Sequence, residues 1–282
     1  MSHIISKKKT ANSLPYLILG LWAVPSIFAA GWVVLMSLKT NSEILVNIWG
    51  LPQNGFQWSN YVDAWKVAHM STYFLNSLMV VSSSIVLLLL VGAPAAYVLA
   101  RFDFKSKIFI YLLFVAGLAI PRGLLVIPLF VQLRKMGLIN SLGGLSVVYV
   151  VMQLSFTILF LTPFFSSLPR ELEDAAAVDG ASATQTFLHV MLPLSAPGLI
   201  VISILNFIDL WNEFLLAFAF LLSPEKHTVA VGLYGLYTSM RFSQNWVGMF
   251  AGVVIVVTPI LIVYLFFSRR ITSGLTVGAL KG

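Results

Sequence analysis

Apolar residues run along this chain in long blocks, separated by short polar stretches, rather than in strict alternation. A helix needs about 20 apolar residues to cross the hydrocarbon core of a bilayer. Six blocks reach that length. Leu14 to Leu38 and Met70 to Ala100 hold no charged residue. Ile108 to Leu133 is interrupted only by Arg122, and Met136 to Pro169 is charge-free and long enough for a loop plus a span. Leu199 to Leu222 carries Asp209 and Glu213, and Phe242 to Ser268 carries no charge. Non-alternating Leu, Val, Ile and Phe favour helices over barrel strands, so the pattern predicts an all-α integral membrane protein with six transmembrane helices. Pro25, Pro94, Pro121, Pro128 and Pro259 fall within or near these spans, where neighbouring groups can re-satisfy a kinked backbone.

Composition sharpens that reading. Of 282 residues, 59% are hydrophobic and only 10% charged, against roughly a quarter charged in soluble domains. So few charges cannot cover a water-facing surface, which excludes a soluble enzyme, a nucleic-acid-binding domain and a disordered scaffold. With no cysteine in the chain, disulfides, thiolate metal sites and Cys nucleophiles are excluded as well. Phe28-Ala29-Ala30 imitates a cleavage site, but the apolar run is too long for a cleaved signal and another span follows, so the first helix is read as retained.

An even number of spans puts both termini on one side. That side holds ten cations: Lys7, Lys8, Lys9, Arg101, Lys105, Lys107, Arg170, Arg269, Arg270 and Lys281. The opposite side holds six, namely Lys39, Lys66, Arg134, Lys135, Lys226 and Arg241. The excess of positive charge on the inner side predicts cytoplasmic termini in a bacterial or archaeal inner membrane.

Familiar catalytic patterns are missing. There is no G-x-x-x-x-G-K-[ST], no H-E-x-x-H and no G-x-S-x-G. His3, His69, His189 and His227 are far apart and outside the spans, which favours solvated or capping roles over metal binding. The only intramembrane acids sit on one helix, so no facing acid pair is available for intramembrane proteolysis. Nothing points to an enzyme, and no metal site is expected.

The most informative polar stretch lies between the fourth and fifth spans, Leu168-Pro-Arg-Glu-Leu-Glu-Asp-Ala-Ala-Ala-Val-Asp-Gly-Ala181. Pro169 suits a first helical position, and Glu171, Glu173 and Asp174 would face the positive end of the dipole. Three alanines favour helix and leave a low surface that another protein can approach. Gly180 supplies a stop, and Ser182 with Gln185 forms a capping box that opens a second helix running to Leu192-Pro193. On physics alone, this is either a solvated loop with helix propensity or a docking element.

The segment resembles the EAA loop of binding-protein-dependent ABC transporter permeases, with Asp174-Ala175-Ala176, Gly180 and Leu192-Pro193 on the motif and Asp174 in place of the usual Glu. Further matches are to the carbohydrate-uptake, maltose-transporter type of this family. They are Asn76-Ser77, Ala95 to Phe102, Ile127-Pro128-Leu129-Phe130, Gly137-Leu138, Pro193-Leu194, Pro197, Trp211-Asn212-Glu213-Phe214 and the tail from Gly274 to Gly282. The resemblance covers roughly residues 72 to 282. It implies a type I permease subunit that pairs with a second permease subunit, docks on a cytoplasmic ATPase dimer and receives sugar from an extracytoplasmic solute-binding protein. ATP and Mg would be bound by the ATPases, and no cofactor by this chain. The implied coupling residues are Glu173, Asp174, Ala175, Ala176, Asp179 and Gly180. Asp174 would pair with a basic ATPase residue, with Glu173 sharing the role because Asp is one methylene shorter. The tail would reach towards the ATPases. The segments expected are a tail at 1–13, the first helix at 14–38, an outer loop at 39–71, the transmembrane core at 72–268 with the coupling loop at 167–197, and a tail at 269–282.

Ionisable groups inside a membrane are costly and point to function. Asp209 and Glu213, four apart, would share a helix face near Asn206, Trp211 and Asn212. These residues and Arg122 are the candidate substrate pathway, either as a sugar-binding face or as packing against the partner subunit. Counting residues from the inner ends of the third and fifth spans puts Arg122 and Glu213 at the same depth, which predicts an ion pair, with Asp209 as the alternative partner. The competing functions are a permease for a polyol, phosphodiester or amino acid, an ion-coupled carrier using Asp209 and Glu213 as a relay, and a membrane scaffold.

Overall fold

The computed structural model describes residues 13–66 and 68–279, with side chains described over 15–66, 68–239 and 244–268. Among these residues there are helices and connections but no strand. Most of the predicted tail at 1–13, including Lys7, Lys8 and Lys9, lies outside the described residues, as do Leu280, Lys281 and Gly282.

Helix α1 (Ser13–Ser37) takes up the first apolar block, with Pro25 inside it. Two short helices, α2 (Asn41–Val46) and α3 (Ser59–Lys66), structure the segment that follows. Helix α4 (Met70–Arg101) is the second span. The third apolar block is not one straight helix. It forms α5 (Lys107–Leu118) and α6 (Arg122–Lys135), bent by 102° at the break before Arg122. Pro121 explains the break: it lacks an N–H and pushes the residue before it out of the helical region. Helix α7 (Leu142–Ser167) is the fourth span.

The polar stretch after α7 folds as α8 (Glu171–Val178), α9 (Ala183–Thr186), a π-helical turn over Phe187–Met191, and α10 (Leu192–Leu194). Helix α11 (Ala196–Trp211) then departs at 71° to the Ala183–Leu194 run. It stops short of the predicted Leu222, and α12 (Leu215–Phe220) completes that block after a break. The outer segment at 224–246 is largely helix α13 (Val229–Ser243), and α14 (Trp246–Ala279) closes the chain. Four helices are long and apolar enough to span unbroken, and each bent pair counted as one span brings the number to six.

Lipid tails are as apolar as leucine, so close approach and side-chain hydrogen bonds, rather than water exclusion, hold such helices together. The most extensive packing joins α4 to α7. A methyl group added at Gly92 would come within 2.9 Å of Thr157 Cγ2, and one at Gly198 of α11 within 2.7 Å of the Phe164 ring. Ser83 and Ser146 hydroxyls meet at 2.9 Å, and Asn206 Nδ2 donates to Thr157 Oγ1 at 2.9 Å. Bonds of this kind average about 0.6 kcal/mol in membranes. Helix α1 packs against α14 and leaves most of its surface exposed.

The two ends of the bundle are fastened differently. At the end away from α8, Asn76 Nδ2 donates to the carbonyls of Glu225 and His227, and Ser77 Oγ accepts from Val229 N. Asn140, at φ 54°, accepts from Leu222 N and Ser223 N, while its carbonyl accepts from Lys226 Nζ at 2.7 Å. This lattice pins the α12–α13 connection onto α4 and the α6–α7 turn.

Candidate functional site

Helix α8 is built by its own sequence. It begins at Glu171, one turn position later than expected, with Arg170 as its N-terminal flank rather than Pro169. The acids Glu171, Glu173 and Asp174 fill its first turn, where the helix dipole favours negative charge. It ends in a Schellman motif: Ala181 N bonds Ala176 O at 2.9 Å and Gly180 N bonds Ala177 O at 3.1 Å. Gly180 sits at φ +81°, a conformation that suits a residue without Cβ. The capping box forms as the spacing requires, with Ser182 N donating to Gln185 Oε1 at 2.8 Å and Ser182 Oγ accepting from Gln185 N.

Its two faces differ. Glu171, Asp174, Ala175 and Val178 recur at helical spacing and are all exposed, Val178 at 88%. Asp179 and Gly180 at its end are exposed too. The other face is occupied by the chain itself. Ala176 is buried, and Glu173 lies 3.2 Å from Arg101 Nε and accepts from Tyr97 OH at 2.7 Å. Arg101 Nη2 also donates to Leu168 O at 2.7 Å. The Tyr97 ring stands between those of Phe165 and Phe187, 5.6 and 5.0 Å away. This corrects two expectations. Glu173 is held inside by α4, so it is not free to share an outside partner with Asp174. Ala176 contributes to the chain's own packing, and Ala175 offers the open surface.

The intramembrane residues separate as well. The predicted pair of Arg122 with Glu213 does not form; Arg122 Nη2 meets Asp209 Oδ2 at 2.8 Å. Equal residue counts gave equal depth only for straight helices, and the 102° bend before Arg122 removes that premise. Gln153 Nε2 of α7 also donates to Asp209. Arg122, Gln153 and Asp209 line a cavity of about 370 Å³ with Gly117, Leu118, Ile120, Met152, Phe156 and Leu205. The Arg122 and Asp209 side chains are 37% and 42% exposed to it, so the pair is reachable rather than sealed.

Glu213 does not share a helix face with Asp209, because α11 ends between them. Its carboxylate caps α12, accepting from Leu216 N at 2.8 Å and Ala217 N at 3.1 Å, and from Tyr149 OH at 2.8 Å. Trp211 is buried, with its indole N–H on Val256 O at 3.0 Å. Asn206 is buried on Thr157, and Asn212 turns back to Ile208 O at 2.7 Å. Of the six pathway candidates, Arg122 and Asp209 therefore meet at a cavity, while Asn206, Trp211 and Glu213 tie helices together. Gln153 and Tyr149 escaped sequence reasoning. The available signal was that Gln153 is the single carboxamide in the apolar run of α7.

An all-helical bundle with broken spans and a short helix presented at one end defines a type I permease. The same architecture occurs in a bacterial ABC transporter involved in the import of the acidic polysaccharide alginate. That structure aligns with a TM-score of 0.79 over 91% of this chain and 94% of its own, at 22% identity, which speaks for the fold. Residues 89–276 match the family described as binding-protein-dependent transport system inner membrane component, and the chain belongs to that family as a multi-pass membrane subunit. Among its relatives, the diacetylchitobiose uptake system permease protein NgcG of Streptomyces coelicolor is 39% identical, covering 98% of this chain and 91% of the relative. The sulfoquinovosyl glycerol transport system permease protein SmoH of Agrobacterium fabrum is 35% identical over 97% and 95%. The trehalose transport system permease protein SugB of Mycobacterium tuberculosis is 35% identical over 93% and 97%.

Proposed function

We propose that this chain is one permease half of an ATP-driven importer that moves a sugar or oligosaccharide into the cytoplasm. The observation that carries the reading is the full-length similarity to permeases named for glycoside and disaccharide uptake. A second permease subunit completes the pathway, a solute-binding protein delivers substrate from outside, and a pair of cytoplasmic ATPases binds ATP and Mg and performs hydrolysis. The cation excess on the α8 side supports cytoplasmic termini.

In this mechanism α8 is the coupling helix. Its exposed face of Glu171, Asp174, Ala175 and Val178 meets the ATPase, with Asp174 opposite a basic residue and Asp179 and Gly180 at the rim of the contact. Its inner face is bolted to α4 through Glu173, Arg101 and Tyr97. ATPase closure that displaces α8 therefore displaces the end of α4, and the breaks between α5 and α6 and before α11 are the joints about which spans can rock. The Arg122–Asp209–Gln153 cavity supplies donors and acceptors for hydroxyl groups on the path, and Phe156 a flat apolar surface for a sugar ring. Net neutrality of the Arg122–Asp209 pair suits an uncharged solute.

The test is uptake of labelled saccharides by cells lacking the chain and by cells complemented with it, alongside a polyol and a glycerol phosphodiester. Loss and restoration of saccharide uptake alone is the expected result. Intact saccharide uptake with lost uptake of either other solute would overturn the sugar assignment. Co-purification of an ATPase with the tagged chain tests the partner assignment separately.

A further inference from the structure

We propose that residues 44–51 are a membrane-surface anchor that seats Leu45, Val46, Ile48, Trp49 and Leu51 in the lipid boundary beside α1. This segment doubles back along α1 instead of standing away from it. The Trp49 ring lies 5.5 Å from that of Trp32 and stacks 6.4 Å from that of Phe28. Trp32 and Phe28 precede Ser37, the last residue of α1, by five and nine positions, which is about 8 and 14 Å down the axis. Helix α1 has 25 residues, about 37 Å of helix, against a hydrocarbon core of about 30 Å. Centred in that core, α1 projects only about 4 Å at either end. Trp49 therefore reaches the depth of the acyl boundary.

The side chains match that depth. Val46 is 87% exposed, Trp49 71% and Leu51 73%, and the surface of α1 beside them is equally open and apolar. From Ser42 to Val62 the only charged residue is Glu43; a water-facing loop of that length would carry about five. Glu43 points inward. Its carboxylate accepts from Gln53 N at 2.7 Å, Asn54 N at 2.8 Å and Thr40 N at 2.8 Å. Those backbone donors, Thr40 foremost, hold its pKa down to about 2. Lys39 is fully buried and donates through Nζ to Asn47 O at 2.9 Å and Ile48 O at 3.4 Å. These two carbonyls lie where no water is at hand, and backbone groups at such depth need internal partners. The two charges thus turn their polar ends to the backbone and leave an apolar ridge outside, with an indole at the level where membrane proteins concentrate Trp. A lipid surface fits this ridge; a polar, reversible protein contact does not call for it.

The chain lacks cysteine, so single nitroxide labels can be placed cleanly. Trp49→Cys and Val46→Cys would be labelled in the assembled importer in vesicles of phosphatidylcholine and phosphatidylglycerol, with Phe28→Cys and Asp63→Cys as references. Collision with oxygen and with a water-soluble nickel chelate would then be read by power saturation. The expected result is an oxygen-to-nickel ratio at 46 and 49 close to that at 28 and several-fold above that at 63. Nickel access like that of 63 would overturn the anchor by placing the ridge in water. Low access to both reagents would also overturn it, by placing the ridge under a protein partner. Should Trp49→Cys fail to assemble, Val46→Cys alone decides.

Discussion

Asp209 and Glu213 stand four residues apart in one apolar block, yet they have become different kinds of group. Asp209 lies on α11 and opens onto a cavity, met by Arg122 and Gln153. Glu213 lies past the end of α11, buried, and spends its oxygens on two backbone amides and a tyrosine. The difference comes from the helix end between them. A carboxylate within a continuous helix finds no free amides and must look to other side chains, whereas one just beyond a helix end meets unpaired N–H groups of the next helix. The first arrangement leaves a group that can be addressed by a solute; the second gives a joint in the frame.

The comparison can be broken at several points. The largest effect is expected at the joint. Glu213→Leu strands the Tyr149 hydroxyl and two amides of α12, each costing about 1–3 kcal/mol when buried unpaired, so assembled protein in the membrane should fall severely. Normal levels with normal uptake would contradict the structural role. Next comes the latch of α8. Glu173→Ala leaves Arg101 without its acid, and breaking such a pair by one partner costs about 3–5 kcal/mol when fully buried, less here because Glu173 is part exposed. ATPase activity should persist but lose its coupling to uptake, measured as ATP hydrolysed per sugar moved. Glu173→Gln, which keeps an acceptor for Tyr97, should retain more coupling than Ala.

A moderate effect belongs to the cavity. Arg122→Leu should reduce uptake by roughly tenfold, equivalent to about 1.4 kcal/mol, with the protein still inserted. Arg122→Leu with Asp209→Asn should recover part of that loss, while Arg122→Leu with Glu213→Gln should recover nothing. Recovery by the second double variant would restore Glu213 as the partner. On α8, Val178→Arg and Ala175→Arg on the open face should weaken ATPase co-purification without changing membrane levels, whereas Ala176→Arg on the inner face should lower the levels themselves. The smallest effect is expected at Glu43. Its depressed folded pKa contributes stability that is fully present above its ordinary value of 4.5 and is lost as pH falls towards 2. Protease accessibility of the 39–66 segment should therefore be flat at neutral pH and rise only through that acid window, and Glu43→Gln should remove the pH dependence.

Much of this architecture could be read before any coordinates. Apolar blocks located α1, α4 and α7 to within a few residues because length and hydrophobicity are enough for an unbroken span. The capping box at Ser182 and the stop at Gly180 were legible because they depend on residues three apart or on one φ angle. What failed was anything that depends on direction after a break. Pro121 was visible, but the angle it produces was not, so Arg122 was matched to the wrong acid. Burial was equally out of reach for α8: Ala175 and Ala176 are indistinguishable as letters, and only packing against α4 sends one inward. Asn76 and Ser77 were noted for their resemblance alone, and their work is to hold a loop more than 140 residues away.

The π-helical turn at Phe187–Met191 carries a consequence for sequence length. Such a turn accommodates one more residue than the α-helix it interrupts. Deleting a single residue there would let an ordinary helix form while rotating everything downstream by about 100° relative to α8. Gly198 would leave the Phe164 ring, and the 71° departure of α11 would point elsewhere. The block between Ser182 and Pro193 should thus tolerate many changes of letter but none of count, and gaps in related chains should fall outside it.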